Sequence, residues 1–171
     1  MAVRPKGKAT PKHPAAKRPA AKRTTAKRTA AKRAAPRATS AARGGAKRTV
    51  IKPKTLPPSS VPLSHAVKLG NIVFVSGSTP FAKDGSIAKG DFAAQMHQVM
   101  ANIKEILAAA GSSLDKVAKV NVILIRISDF QAMNAIYRQY FKEGNYPART
   151  TIEAPLAHPD FLLEIECVAA A

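Results

Sequence analysis

The chain has 171 residues and a formal net charge of +18, with 28 lysines and arginines against 10 aspartates and glutamates. This excess lies entirely in the N-terminal third, because residues 1–54 hold 18 basic residues and no acidic one, which leaves the rest balanced. A single cysteine, Cys167, excludes an intrachain disulfide, and four scattered histidines offer no spacing typical of a zinc site.

Residues 1–60 are predicted to form a disordered basic tail that ends in a proline-rich linker. Before Val50 the only larger apolar residues are Met1 and Val3, too few to bury the surface that folding requires. The Lys-Arg doublets recur every five residues, a period of neither helix nor strand, and no aromatic residue lies between them to stack on bases. The composition resembles the tails of linker histones and bacterial histone-like proteins. It indicates nonspecific binding to nucleic acid through counterion release, with candidate contacts Lys17, Arg18, Lys22, Arg23, Lys27, Arg28, Lys32, Arg33, Lys47 and Arg48.

Two other interpretations of the tail stay open. One is a solvated segment with no dedicated partner. The other is a mitochondrial presequence, which is also basic and acid-poor but needs an apolar face, and no Leu, Ile or Phe precedes Ile51. The sequence has no apolar run that could span a membrane and no signal-peptide core. We expect a soluble, cytoplasmic protein. Its basic tail is expected to bind the nucleoid and so to associate the protein with it.

Residues 61–171 are predicted to form one folded domain, which begins with a hairpin and a helix. The hairpin pairs residues near 65–68 with a strand from Ile72 to Ser76 across a Leu-Gly-Asn turn. Asp91 then caps a helix whose apolar residues recur at spacings of three and four and which ends at Gly111.

The second half of the domain continues with a strand, a helix and two strands. The β-branched run KVAKVNVILIRI is the strand, and Ser128 or Asp129 caps the helix, which stops before Gly144. The apolar residues of this helix are Phe130, Met133, Tyr137 and Phe141. The last strands span residues 150–154 and 162–169. The order ββαβαββ predicts an α+β fold in which a mixed sheet carries two helices on one face and needs other cover on the opposite face.

Charged residues interrupt both final strands. In the last strand Glu164 and Glu166 point to one side, opposite the apolar alternation of Leu163, Ile165 and Cys167. Two carboxylates on an otherwise apolar strand require water or a cation as a partner, or indicate a functional site. Arg149 stands directly before the preceding predicted strand, in YPARTTIEAP.

Four ordered stretches carry a family resemblance: AVKLGNIVFVSGSTP, AAGSSLDKVAKVNVILIRISDFQAMNAIYRQYF, YPARTTIEAP and LLEIECVA. Together they resemble the RidA family, also called YjgF, over roughly residues 61–169. The resemblance implies a chorismate-mutase-like fold, a homotrimer with active sites in the clefts between subunits, and no cofactor or metal. It also implies hydrolysis of 2-aminoacrylate and related enamine or imine acids, such as 2-iminobutanoate, to 2-keto acids and ammonia.

The same resemblance assigns site residues. Arg149 matches the family arginine that holds the substrate carboxylate with its planar fork, and Glu164 matches the glutamate that positions the attacking water. Ser76, Gly77 and Asn134 match residues that line the pocket, and Thr151 occupies a further pocket position.

The chain departs from the family pattern at two positions. Leu63 stands where many deaminases have a tyrosine, and Thr151 stands where many have a cysteine. Leu63 favours an alternative function, in which an inactive trimer serves as a nucleoid-associated scaffold that presents basic tails to DNA. Ribonuclease activity has also been attributed to family members, but the sequence offers no metal site or histidine pair for it.

Overall fold

A computed structural model describes residues 45–171 of the chain. The disorder predicted for residues 1–44, and the eight proposed nucleic-acid contacts from Lys17 to Arg33, lie outside the described residues. Lys47 and Arg48 lie inside them. Neither helix within residues 45–171 has the length and apolar character needed to cross a membrane.

The described residues form a six-stranded mixed sheet and two α-helices. The sheet order is β1-β2-β3-β6-β4-β5, and all neighbouring strands are antiparallel except β4 and β5. This architecture confirms the α+β fold class. The strands are β1 (Arg48–Ile51), β2 (Ala66–Leu69), β3 (Ile72–Ser78), β4 (Val117–Leu124), β5 (Ala148–Glu153) and β6 (Leu163–Ala170), and the helices are α1 (Phe92–Ala109) and α2 (Phe130–Tyr137).

Strand β1 lies in the segment that the sequence assigned to the tail and linker. Its four residues pair with β2 at the edge of the sheet, from Arg48 opposite Leu69 to Ile51 opposite Ala66, and Ile51 is buried. The run Thr-Val-Ile favours a strand, but its pairing partner is distant in sequence and the prolines that follow obscure it. Arg48 is therefore part of the folded sheet, and Lys47 directly precedes it.

Helix α1 forms as predicted. The Asp91 side chain accepts a hydrogen bond from the Ala94 backbone N–H at 2.9 Å, which caps the first turn. The helix ends just before Gly111, whose φ of 77° suits glycine. Its buried face, which includes Met96, Val99 and Ile103, packs on the sheet.

Helix α2 is shorter than predicted, since it ends at Tyr137 rather than near residue 143. Beyond it the chain tightens into turns in which the Gln139 N–H bonds to the Ile136 carbonyl and the Tyr140 N–H to the Tyr137 carbonyl. Phe141 still reaches the core, where its ring lies 4.6 Å from that of Tyr137.

The two faces of the sheet have different surroundings. The helix-covered face carries buried residues such as Val75, Val122 and Ile165. On the other face, here called the open face, large apolar side chains remain 43–48% exposed: Leu69, Ile72, Phe74 and Ile152. Clustered apolar exposure of this kind is typical of an interaction surface.

Candidate functional site

Arg149 lies on β5 and points to the helix-covered face, because its register partner in β4 is the buried residue Val120. The guanidinium is half-buried beneath α2. Its Nη2 donates to Asn134 Oδ1 at 2.7 Å, and its Nη1 donates to the Met133 sulfur at 3.5 Å. Asn134 is thus placed beside Arg149.

The charge of Arg149 is surrounded by neutral groups. The guanidinium carbon lies 4.7 Å from the centre of the Tyr137 ring and 5.7 Å from that of Phe130. Within residues 45–171 no carboxylate forms an ion pair with it. Partly buried charges are normally paired, so this arginine is available to an anion from outside the described residues.

Glu164 lies on β6 and points to the open face, where its register partner in β4 is Ile123. Its carboxylate packs directly on Gly77 of β3: a methyl group added at residue 77 would stand 1.7 Å from Glu164 Oε1. Any side chain at residue 77 would displace the carboxylate. Gly77 therefore has a packing role beside Glu164.

The surroundings of Glu164 disfavour its ionised form. Burial, and next the charge of Glu166 on the same strand, raise the pKa of Glu164 above its ordinary value. The Glu166 carboxylate accepts a hydrogen bond from Asn121 Nδ2 at 2.5 Å, whereas no described group donates to Glu164. A partly desolvated carboxylate with free lone pairs can accept a proton from a bound water.

Ser76 and Thr151 have surroundings of different kinds. The Ser76 hydroxyl donates to the Ser64 carbonyl at 2.7 Å, which ties β3 to the segment that carries Leu63. Leu63, the residue before Ser64, is 47% exposed and presents its apolar side chain to the surface. The hydroxyl of Thr151 is buried on the helix-covered face and finds no partner among residues 45–171.

The candidate residues form two groups on opposite faces of the sheet. The arginine half-site consists of Arg149, Asn134 and Thr151 on the helix-covered face, and the glutamate half-site consists of Glu164, Ser76 and Gly77 at the open face. Arg149 pairs with the buried residue Val120 and Glu164 pairs with Ile123 of the open face. Because neighbouring residues of β4 point to opposite faces, the two half-sites of one chain point away from each other.

Sequence reasoning missed the aromatic surroundings of Arg149. Phe130, Met133, Asn134 and Tyr137 stand at positions i, i+3, i+4 and i+7 of α2, a spacing that places them on one helix face. From their spacing, the apolar members of this set are predicted only to face the core. The spacing alone could not reveal the arginine, because its position depends on the pairing of β5 with β4.

Comparisons with known proteins agree with this fold. The family model described as Endoribonuclease L-PSP matches residues 54–171. A RutC family protein of Pyrococcus horikoshii is 47% identical over 109 residues, which cover 63% of this chain and 86% of the relative. A protein of Acinetobacter baylyi named 3-aminoacrylate deaminase RutC is 40% identical over 109 residues, with 63% and 86% coverage.

A solved structure supports the same assignment. The crystal structure of RidA from the Antarctic bacterium Psychrobacter sp. PAMC 21119 superposes with a TM-score of 0.67 at 35% identity. The match covers 72% of this chain and 99% of that one. From the fold, the matched residues and these relatives together, we conclude that the chain belongs to the RidA/YjgF family, the family whose model is described as Endoribonuclease L-PSP.

Proposed function

We propose that the protein hydrolyses reactive enamine and imine acids, such as 2-aminoacrylate and 2-iminobutanoate, to 2-keto acids and ammonia. The observation that carries this proposal is Arg149, a half-buried guanidinium held only by neutral groups. Two parallel hydrogen bonds from its planar fork suit a carboxylate. The relative from Acinetobacter baylyi is named a 3-aminoacrylate deaminase, which favours a substrate of this class.

Glu164 supplies the acid-base chemistry in this proposal. Water adds its oxygen to the imine carbon while Glu164 accepts one proton of that water and passes it to nitrogen. In the resulting carbinolamine the hydroxyl proton moves by way of Glu164 to the nitrogen. The C–N bond then breaks as the C=O bond forms, which leaves the 2-keto acid and releases ammonia. An enamine first takes a proton at its terminal carbon and loses one from its nitrogen, which converts it to the imine. Ser76, Gly77, Asn134 and Thr151 complete the walls of the pocket.

The active form in this proposal is a homotrimer with a site in each cleft between subunits. Two observations support an oligomer. The arginine and glutamate half-sites lie on opposite faces of one sheet, and the open face leaves apolar side chains exposed. Contact between copies would pair one half-site with the other and cover that face.

The basic tail adds nonspecific binding to nucleic acid in this proposal, and thereby an association with the nucleoid in the cytoplasm. This part rests on the sequence alone, on the paired lysines and arginines of residues 1–44. Three tails on one trimer would bind with much greater avidity than a single tail.

The test of the deaminase is the release of 2-keto acid from freshly generated 2-iminobutanoate. We expect wild type to accelerate it, Glu164→Ala to lower kcat by about 100-fold or more, and Arg149→Ala to raise KM by roughly 10- to 100-fold. The exposed residues Arg138 and Glu143 provide matched controls, and their alanine variants should behave as wild type. No acceleration by wild type would contradict the deaminase and favour the non-catalytic scaffold, for which Leu63 is the supporting feature.

A further inference from the structure

One face of α2 forms a neutral cradle around the guanidinium of Arg149. We define the α2 cradle as Phe130, Met133, Asn134 and Tyr137, which all contact or face this group. Asn134 and Met133 accept hydrogen bonds, and the two rings lie at 4.7 Å and 5.7 Å from the guanidinium carbon. The cradle therefore fixes the side chain without neutralising its charge.

Fixing an arginine before the ligand arrives has a direct effect on affinity. A free arginine side chain loses rotamer freedom when it binds a carboxylate, and a side chain already held in place loses less. A carboxylate in the cradle would fix the arginine equally well but would compete with the ligand. Aromatic faces attract a guanidinium and leave its N–H groups free for an anion.

Tyr137 is the cradle residue with the closest ring contact. It is buried, and Phe141 packs against its ring at 4.6 Å, so the ring has little freedom to move away from Arg149. Its hydroxyl makes no hydrogen bond within residues 45–171. The ring rather than the hydroxyl is thus the part of Tyr137 that acts on the guanidinium.

We propose that Tyr137 is a positioning residue of the deaminase, whose ring holds the Arg149 guanidinium in the orientation that receives the substrate carboxylate. This inference rests on the proposed function. It assigns Tyr137 an effect on substrate affinity and none on the proton transfers of Glu164, which lies on the opposite face of the sheet. Phe130, about two turns before Tyr137 on the same helix face, has the same role at longer distance.

The test compares Tyr137→Phe, Tyr137→Leu and Phe130→Leu with wild type. We measure KM and kcat for 2-iminobutanoate, and Kd for 2-ketobutyrate, an unreactive 2-keto acid with the same carboxylate. Tyr137→Leu should raise KM and Kd together by about 3- to 30-fold, with kcat changed less than about threefold, and Phe130→Leu should do the same more weakly. Tyr137→Phe keeps the ring, so its KM and Kd should stay within about twofold of wild type.

A control variant separates positioning from general destabilisation. Ile136→Ala removes a buried side chain of α2 that is not part of the cradle, so it should lower the melting temperature and leave KM and Kd unchanged. Should Tyr137→Leu fail to fold, Phe130→Leu and Tyr137→Phe decide the matter on the same criteria.

Two results would overturn the inference alone. One is that the KM and Kd of Tyr137→Leu equal those of wild type. If Tyr137→Leu does not fold, the same result in Phe130→Leu would overturn the inference. The other is an increase in Tyr137→Phe as large as that in Tyr137→Leu, which would assign the effect to the hydroxyl. A wild-type protein that neither accelerates keto-acid release nor binds 2-ketobutyrate would instead overturn the proposed function, and the inference with it.

Discussion

The carboxylate of Glu164 rests on the backbone of Gly77, so closely that a methyl group at residue 77 would stand 1.7 Å from Glu164 Oε1. The obstructed atom is the end of a flexible side chain, which can rotate away at little cost to the fold. A substitution at Gly77 should therefore move the carboxylate and leave the sheet intact. This relationship allows the position of Glu164 to be changed without removing it.

We predict that Gly77→Ala lowers kcat for 2-iminobutanoate by about 10-fold or more, because Glu164 leaves the position from which it accepts a proton. Its melting temperature should change only slightly. Gly45→Ala is the control, since nothing lies within 4 Å of the added methyl group there. Wild-type kcat in Gly77→Ala would show that the position of Glu164 beside Gly77 does not matter for turnover.

Replacing Asn134 by aspartate tests whether Arg149 must remain unpaired. Asn134 Oδ1 accepts from Arg149 Nη2 at 2.7 Å, so Asn134→Asp would give the guanidinium an internal anion. We expect KM to rise by about 10-fold or more, because the substrate carboxylate then competes with a charge-assisted bond, while the melting temperature is unchanged or higher. Gln131→Asp is the control: it adds the same charge at an exposed position of α2 and should leave KM unchanged. If KM is also unchanged in Asn134→Asp, that result would argue against carboxylate binding by Arg149.

The pKa of Glu164 predicts opposite effects of pH on stability and on rate. Burial and Glu166 raise this pKa from its ordinary value of 4.5, so the folded chain binds the proton more tightly than the unfolded chain. Its stabilising contribution is then complete below pH 4.5 and is lost as pH rises through the folded-state pKa. Glu164→Gln should be more stable than wild type near neutral pH, and the two should converge in acid when melting temperatures are compared.

The pH dependence of kcat should report the same Glu164 pKa, with the opposite direction of change. Glu164 must be ionised to accept a proton, so kcat should fall in acid with a midpoint above 4.5. Glu166→Gln removes one cause of the raised pKa and should move that midpoint to lower pH. A midpoint that does not respond to Glu166→Gln would indicate that another group controls the rate.

The extent of sequence-based prediction differs between elements. Helix α1 was predictable because its signals are local: Asp91 at the N-cap, apolar spacing and Gly111 at the end. Strand β1 was assigned to the linker because its four residues become a strand only by pairing with β2, near Val67. Local pattern carries no information about such distant partners.

The candidate site shows the same division. The alternation of Glu164 with buried neighbours in β6 was predicted from the sequence and is confirmed. Strand β5 has no clear apolar alternation, so the face on which Arg149 lies depends on its register with Val120 of β4. The separation of the two half-sites, and the contact between Tyr137 and Arg149, follow from that register.

The tail prediction requires a truncation that spares β1. Removal of residues 1–44 leaves Arg48–Ile51 paired with β2, so the domain should keep its melting temperature and deaminase activity. Because 14 basic residues are lost, DNA retention at low salt should fall sharply, and the retention of the full chain should fall steeply as salt increases. Equal DNA retention by the full and truncated chains would contradict the tail's role.

The most direct test of the central claim, that each site combines two chains, is complementation between inactive variants. Co-assembled Arg149→Ala and Glu164→Ala chains should regain keto-acid release, because one chain provides Glu164 and its neighbour Arg149. Random assortment should restore about one site in four. Co-assembly of wild type with the Arg149→Ala, Glu164→Ala double variant provides the control for mixing. Activity in the first mixture well above that of either variant alone is the result we predict, and no recovery in assemblies shown to be mixed would contradict a shared site.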